Sequence, residues 1–98
     1  MKSNTYHVFF SKLSNKLRIK IILSLDKKSK SVTELSKHLN IEQSKISHAL
    51  RELKNCNIVK VEKKGKLRVY SLSKTIIPIL RLIECHSKGC SKCRGCGI

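Results

Sequence analysis

Four cysteines crowd the end of the chain: Cys85, Cys90, Cys93 and Cys96, spaced C-x4-C-x2-C-x2-C, with Gly89, Gly95 and Gly97 among and beside them. Two successive C-x2-C loops can fold their sulfurs around one centre, and four thiolates in a tetrahedral array suit zinc or another soft metal ion. The cations Lys88, Lys92 and Arg94 favour thiolate over thiol, which helps metal binding and oxidation alike. Three other outcomes stay open: an iron–sulfur cluster, a thiol–disulfide switch, or an idle tail. His86 can replace one sulfur. Cys56 stands apart and is expected to be a small buried apolar residue.

The elements that must position this cluster are bounded by composition. Ninety-eight residues suffice for one modest core. The expected division is a folded unit over residues 1–84 and a cysteine-rich tail over 85–98. Lys and Arg number 22 against 6 Asp and Glu, a formal charge of +16, which opposes compaction unless a polyanion neutralises it. Nucleic acid is the leading partner and an anionic membrane surface the alternative. The apolar runs over 19–25 and 76–83 are short and carry Lys20 and Arg81, whereas a membrane span needs about 20 apolar residues. The opening residues lack a long apolar region and a cleavage site, so no secretory signal is expected. A reducing cytoplasm follows as the expected compartment, where clustered cysteines bind metal or do redox chemistry more often than they form structural disulfides.

Apolar residues recur at helical spacing over residues 6–25, with Asn15 as an N-cap dividing two helices. After the break at DKKSKS, the run Ser31-Val32-Thr33-Glu34 is a capping box for a short third helix over 32–39. Asn40 suits the left-handed turn that must follow. A fourth helix over about 42–55 places Ile46, Ala49, Leu50 and Leu53 on one stripe and Ser44, His48 and Arg51 opposite it. The period then changes to that of a β-hairpin with Lys63, Lys64, Gly65 and Lys66 at its tip. Ser73 is a candidate cap for a last helix carrying Ile76, Ile77, Leu80 and Ile83, and Pro78 marks its start or a kink.

Two short helices joined by a tight turn, followed by a hairpin with a basic tip, are the parts of a winged helix-turn-helix in the order α-α-α-α-β-β-α. In that geometry the second helix of the pair enters the major groove of duplex DNA. Arg51 is the candidate for reading guanine, because a guanidinium can donate two hydrogen bonds to that base. Gln43, Ser44, Lys45 and Ser47 set register on phosphates or nearby bases, His48 can reach base edges or phosphates, and Lys63, Lys64, Lys66 and Arg68 of the hairpin meet the backbone.

The stretch TELSKHLNIEQSKISHALRELKNCNIVKVEKKGKLRVYSL, with FFSKLSNKLRIKIILSL before it, resembles the arsenic-repressor-type (ArsR-like) winged-helix family over roughly residues 6–85. The order of elements, the Gln43-Ser44-x-x-Ser47 run, the Tyr70-Ser71-Leu72 strand and Arg18 carry the likeness. Ala49 stands where the family often has a histidine, and Asn40 and Asn57 stand at turn glycines. The third-helix cysteine pair that many members use for metals is replaced by Glu34-Leu35-Ser36-Lys37-His38, and the last helix lacks the family's Asp and His pattern. The resemblance implies a homodimer through the first and last helices, with Tyr6, Phe9, Phe10, Ile76, Leu80 and Ile83 as interface candidates. Two recognition helices then meet half-sites about 34 Å apart on an inverted repeat.

The expected function is that of a DNA-binding regulator, a repressor by analogy, with ligand binding at Cys85, Cys90, Cys93 and Cys96 bracing the last helix and altering operator affinity. The competing class is a sequence-tolerant architectural protein, which would share the small size and high charge. No paired carboxylates, phosphate-binding glycine loop or activated nucleophile points to an enzyme.

Overall fold

The computed structural model describes residues 3–89. Its elements are α1 (Ser3–Leu13), α2 (Lys16–Lys27), β1 (Lys30–Ser31), α3 (Val32–Leu39), α4 (Gln43–Asn55), β2 (Val59–Lys64), β3 (Leu67–Leu72) and α5 (Ile76–Gly89). Among these residues no helix is long and apolar enough to cross a membrane.

Local chemistry explains most of the boundaries. Asn15 is extended at φ −153°, and its side chain accepts from the Arg18 amide at 3.1 Å, which starts α2. Ser31 and Glu34 close both halves of the capping box, each bond at 3.2 Å. Asn40 ends α3 in the left-handed conformation at φ 55° and ψ 50°. The Ser36 hydroxyl donates to the Ile41 carbonyl at 2.6 Å, fixing the path into α4. Asn57 provides a second left-handed corner at φ 58°, between α4 and β2.

The stripe predicted for α4 is the centre of the core: Ile46, Ala49, Leu50 and Leu53 are buried against Ile21, Ile22 and Leu25 of α2, Leu35 of α3, Ile58, Val59, Leu72 and Ile76. Each fully buried Leu or Ile here contributes about 1.5–3 kcal/mol relative to exposure. The sheet is antiparallel in the order β1-β3-β2. Its first strand was not expected. Lys30 and Ser31 pair with Tyr70 and Val69, and a two-residue strand is too short to display a period of its own.

Two further details depart from expectation. The Ser73 hydroxyl donates to the Asn57 carbonyl at 2.6 Å instead of capping the last helix; only its carbonyl meets the Ile76 amide, at 3.3 Å. Pro78 lies in the first turn of α5, where its missing N–H has no intrahelical acceptor to lose, so it marks the helix start, the first of the two expected alternatives. Cys56 is half-buried against the core rather than fully enclosed.

Candidate nucleic-acid interface

Burying one stripe of α4 forces its other face outward. Gln43, Ser44, Lys45, Ser47, His48 and Arg51 are all exposed. They share one helix face because α4 is held from behind by α2 and α3, so its polar side chains stand clear of the core.

The hairpin beside it follows from register. Lys63 pairs with Arg68 and Lys64 with Leu67, leaving Gly65 and Lys66 as a two-residue connection. Gly65 has φ 63°, as two-residue hairpin turns require at their first position. Lys63 and Arg68 are therefore like charges directly opposite each other on one face, an arrangement that repels unless an anion lies between them. Lys63, Lys64, Lys66 and Arg68 are exposed.

Ion pairing leaves this surface uncompensated. Among the described residues the pairs are Lys12 with Glu52 at 2.9 Å, Arg81 with Asp26 at 2.7 Å and Arg81 with Glu84 at 3.1 Å. None involves a predicted DNA-facing cation. The Lys12 ammonium, by hydrogen bond and then by charge, holds the Glu52 carboxyl below its usual range. Arg81 does the same to Asp26, again chiefly through its hydrogen bond.

The remaining predicted residues divide. Ile76 is closed inside the chain's own core at 2 % exposure, which removes it from the set of interface candidates. Phe9 and Leu80 are half-buried against that core, while Tyr6, Phe10 and Ile83 are more than half exposed. Thr5, Tyr6, Phe9, Phe10 and Ile79 line a cleft of about 340 Å³ between α1 and α5. Cys85 is exposed on α5, with Glu84 on one side and His86 on the other. Cys90, Cys93 and Cys96 lie outside the described residues. Among the described residues no three His, Cys, Asp or Glu side chains gather in a way that could hold a metal ion.

One part of the surface escaped the sequence. Arg18 and Asn15 of the α2 start stand beside Ser44, Lys45 and His48 across a cleft of about 270 Å³. The available signal was a basic residue in the first turn of a helix that packs on α4, and only the packing shows which way that turn faces.

The family model described as the bacterial regulatory protein, arsR family, matches residues 15–61. Over 68 residues the chain is 31% identical to the transcriptional repressor SdpR of Bacillus subtilis, covering 69% of this chain and 76% of that protein. Over 63 residues it is 36% identical to the HTH-type transcriptional regulator NmtR of Mycobacterium tuberculosis, covering 64% of this chain but only 52%, about half, of NmtR. Reduced HlyU from Vibrio cholerae superposes with a TM-score of 0.75 at 28% identity, covering 91% of this chain and 93% of HlyU. Both curated relatives are named as transcription regulators, not enzymes. With the matched segment spanning α2 to β2 and the winged-helix fold continuing on either side of it, the chain belongs to the arsR family of bacterial regulatory proteins.

Proposed function

We propose that this protein is a homodimeric repressor that reads an inverted-repeat operator in the cytoplasm. The α4 face reads the major groove, with Arg51 on guanine and Gln43, Ser44, Lys45, Ser47 and His48 setting register; Lys63, Lys64, Lys66 and Arg68 lie on the flanking backbone. The observation that carries this reading is the unpaired cationic surface itself: an exposed polar α4 flank beside a wing whose Lys63 and Arg68 oppose each other. The dimer is supported by the exposed Tyr6, Phe10 and Ile83, which leave apolar area on α1 and α5 that a second copy would cover.

The tail residues 85–98 are read as a sensory extension of α5. Cys85, Cys90, Cys93 and Cys96 supply four thiolates for zinc or another soft ion, an iron–sulfur cluster being the lesser alternative. Closing that site would brace α5 and alter the spacing of the two recognition helices.

In vitro selection of duplexes from random sequence, followed by titration against unrelated competitor DNA, tests the first reading. Enrichment of an inverted repeat with half-sites about one helical turn apart is expected; equal affinity for all duplexes would make the protein architectural instead. Elemental analysis of protein prepared without chelator, beside a variant with Cys90, Cys93 and Cys96 changed to Ser, tests the second. One soft ion per chain, lost in the variant, is expected, and operator affinity unchanged by that ion would reduce it to a structural part.

A further inference from the structure

The cleft between the start of α2 and the flank of α4 joins Ser44, Lys45 and His48 of the recognition scheme above to Asn15 and Arg18, which have no part in it. Five of its residues are polar or cationic: Asn15, Arg18, Ser44, Lys45 and His48. Arg18 is half-buried, and one of its guanidinium nitrogens donates to the Lys12 carbonyl at 3.4 Å, which holds the side chain against the protein surface. Asn15 occupies the Arg18 amide, so the helix start itself offers less to an anion than the side chains do.

No carboxylate pairs with Arg18, Lys45 or His48 among the described residues. Glu52 is the acidic group whose charge senses both Arg18 and His48, and it is already bonded to Lys12 at 2.9 Å. A half-buried guanidinium in this setting lacks its natural counter-ion. An anion with several acceptor oxygens would supply it, and arginine is the side chain best shaped to hold one.

The position of the cleft selects the anion. An α-helix with its side chains is about 10–12 Å across, and the major groove is about 12 Å wide. A helix lying in that groove therefore presses its flanks against the two phosphate walls. Ser44 and His48 form one rim of the cleft and belong to the same exposed α4 flank.

The geometry points to a seat for one backbone phosphate of bound duplex DNA in the cleft between α2 and α4, held by Arg18 with Lys45 and His48. This rests on the DNA-binding reading of α4 and adds α2 as a third contact element beside α4 and the wing. It is a register device: the seat fixes how deeply α4 enters the groove without reading a base.

The test is a salt series of duplex-binding titrations on wild type, Arg18→Gln, Arg18→Lys and Lys20→Gln, each first checked for an unaltered thermal unfolding midpoint. Lys20 is exposed on α2 but does not line the cleft. Arg18→Gln is expected to flatten the slope of log K against log salt by roughly 0.9 for each phosphate lost, with a similar fold-loss on selected and unrelated duplexes. Arg18→Lys should keep most of the slope, and Lys20→Gln should change it less than Arg18→Gln. Equal slopes for Arg18→Gln and Lys20→Gln in a wild type that binds DNA would overturn the seat and leave the α4 reading standing. A wild type whose affinity for every duplex is salt-independent would overturn both.

A second arm separates a backbone phosphate from a free one. Neutral methylphosphonate placed singly along a selected duplex should weaken wild type at one position per half-site and leave Arg18→Gln indifferent there. If inorganic phosphate shifts the Arg18 and His48 amide resonances but no methylphosphonate position distinguishes the two proteins, the occupant is a free anion and the backbone assignment falls.

Discussion

Helices α4 and α5 treat their apolar residues in opposite ways. In α4, Ile46, Ala49, Leu50 and Leu53 are all buried, and the exposed flank is polar or charged. In α5 only Ile76 is fully enclosed; Leu82 is 69 % and Ile83 53 % exposed, and the helix is tied back to α2 by a surface ion pair rather than by a full apolar seam. A helix whose apolar stripe is satisfied within its own protomer can offer its other face to a ligand. A helix that leaves its stripe open keeps apolar area in solvent, which is the area that the proposed dimer would cover. The same contrast separates the two proposals: DNA recognition belongs to the finished centre, and assembly and sensing belong to the unfinished ends.

The largest expected effect breaks the centre. Leu50→Ala removes a side chain with no exposed surface and should cost about 2–5 kcal/mol in urea unfolding. Leu82→Ala should stay within about 0.5 kcal/mol in dilute protein, and equal losses for the two would erase the contrast between the helices. Next, if the proposed dimer forms through α5, Ile83→Glu should convert it to monomer in sedimentation equilibrium and weaken operator binding about a hundredfold or more, since two linked half-site contacts become one. A variant that still sediments as a dimer would move the interface away from α5.

Smaller effects sharpen the division of labour within the DNA surface. Arg51→Ala should cost about 1–3 kcal/mol on the selected operator and relax the preference at one base pair. Lys64→Gln should instead weaken all duplexes alike and flatten the salt slope by roughly 0.9. Ser31→Ala removes the capping-box oxygen that starts α3 and should lower stability by about 1 kcal/mol in the same urea experiment, without changing the salt slope.

The smallest effect concerns the tie between α5 and α2. Arg81 donates to both Asp26 oxygens, at 2.9 and 2.7 Å, and the Asp26 carboxyl is held below its usual range mainly by those bonds. Because the folded-state value is depressed, the stabilisation is complete above the ordinary carboxylate range and is lost as pH falls through the folded value. Asp26→Asn should therefore melt at a lower temperature than wild type near neutrality, with the gap closing in strong acid. A gap that persists there would mean that Asp26 stabilises by packing instead.

Much of the recognition unit was legible because its determinants are local. The Ser31–Glu34 capping box, the left-handed Asn40 and the α4 stripe each depend on residues within one or two helical turns, where backbone geometry alone decides who meets whom. The exposed cationic face then follows by elimination, since what is not on the buried stripe must point away from it. The α1 and α5 interface candidates were less legible, because a single chain's pattern cannot say whether an apolar side chain is covered by its own protomer or by another: Ile76 is, and Ile83 is not.

By itself, then, the sequence determined the helices and the hairpin, the caps of α2 and α3, the left-handed turn at Asn40, the polar side of α4 and the basic hairpin tip, all through interactions between near neighbours. Only the tertiary structure decided that Lys30 and Ser31 become a third strand against Tyr70 and Val69, that Lys12 reaches Glu52 across 40 positions, that Arg81 finds Asp26 across 55, and that Arg18 faces Ser44 and His48 across a cleft. Those pairings join residues far apart in the chain. Their meeting depends on how α1, α2 and α5 pack around α4, and no local periodicity records that.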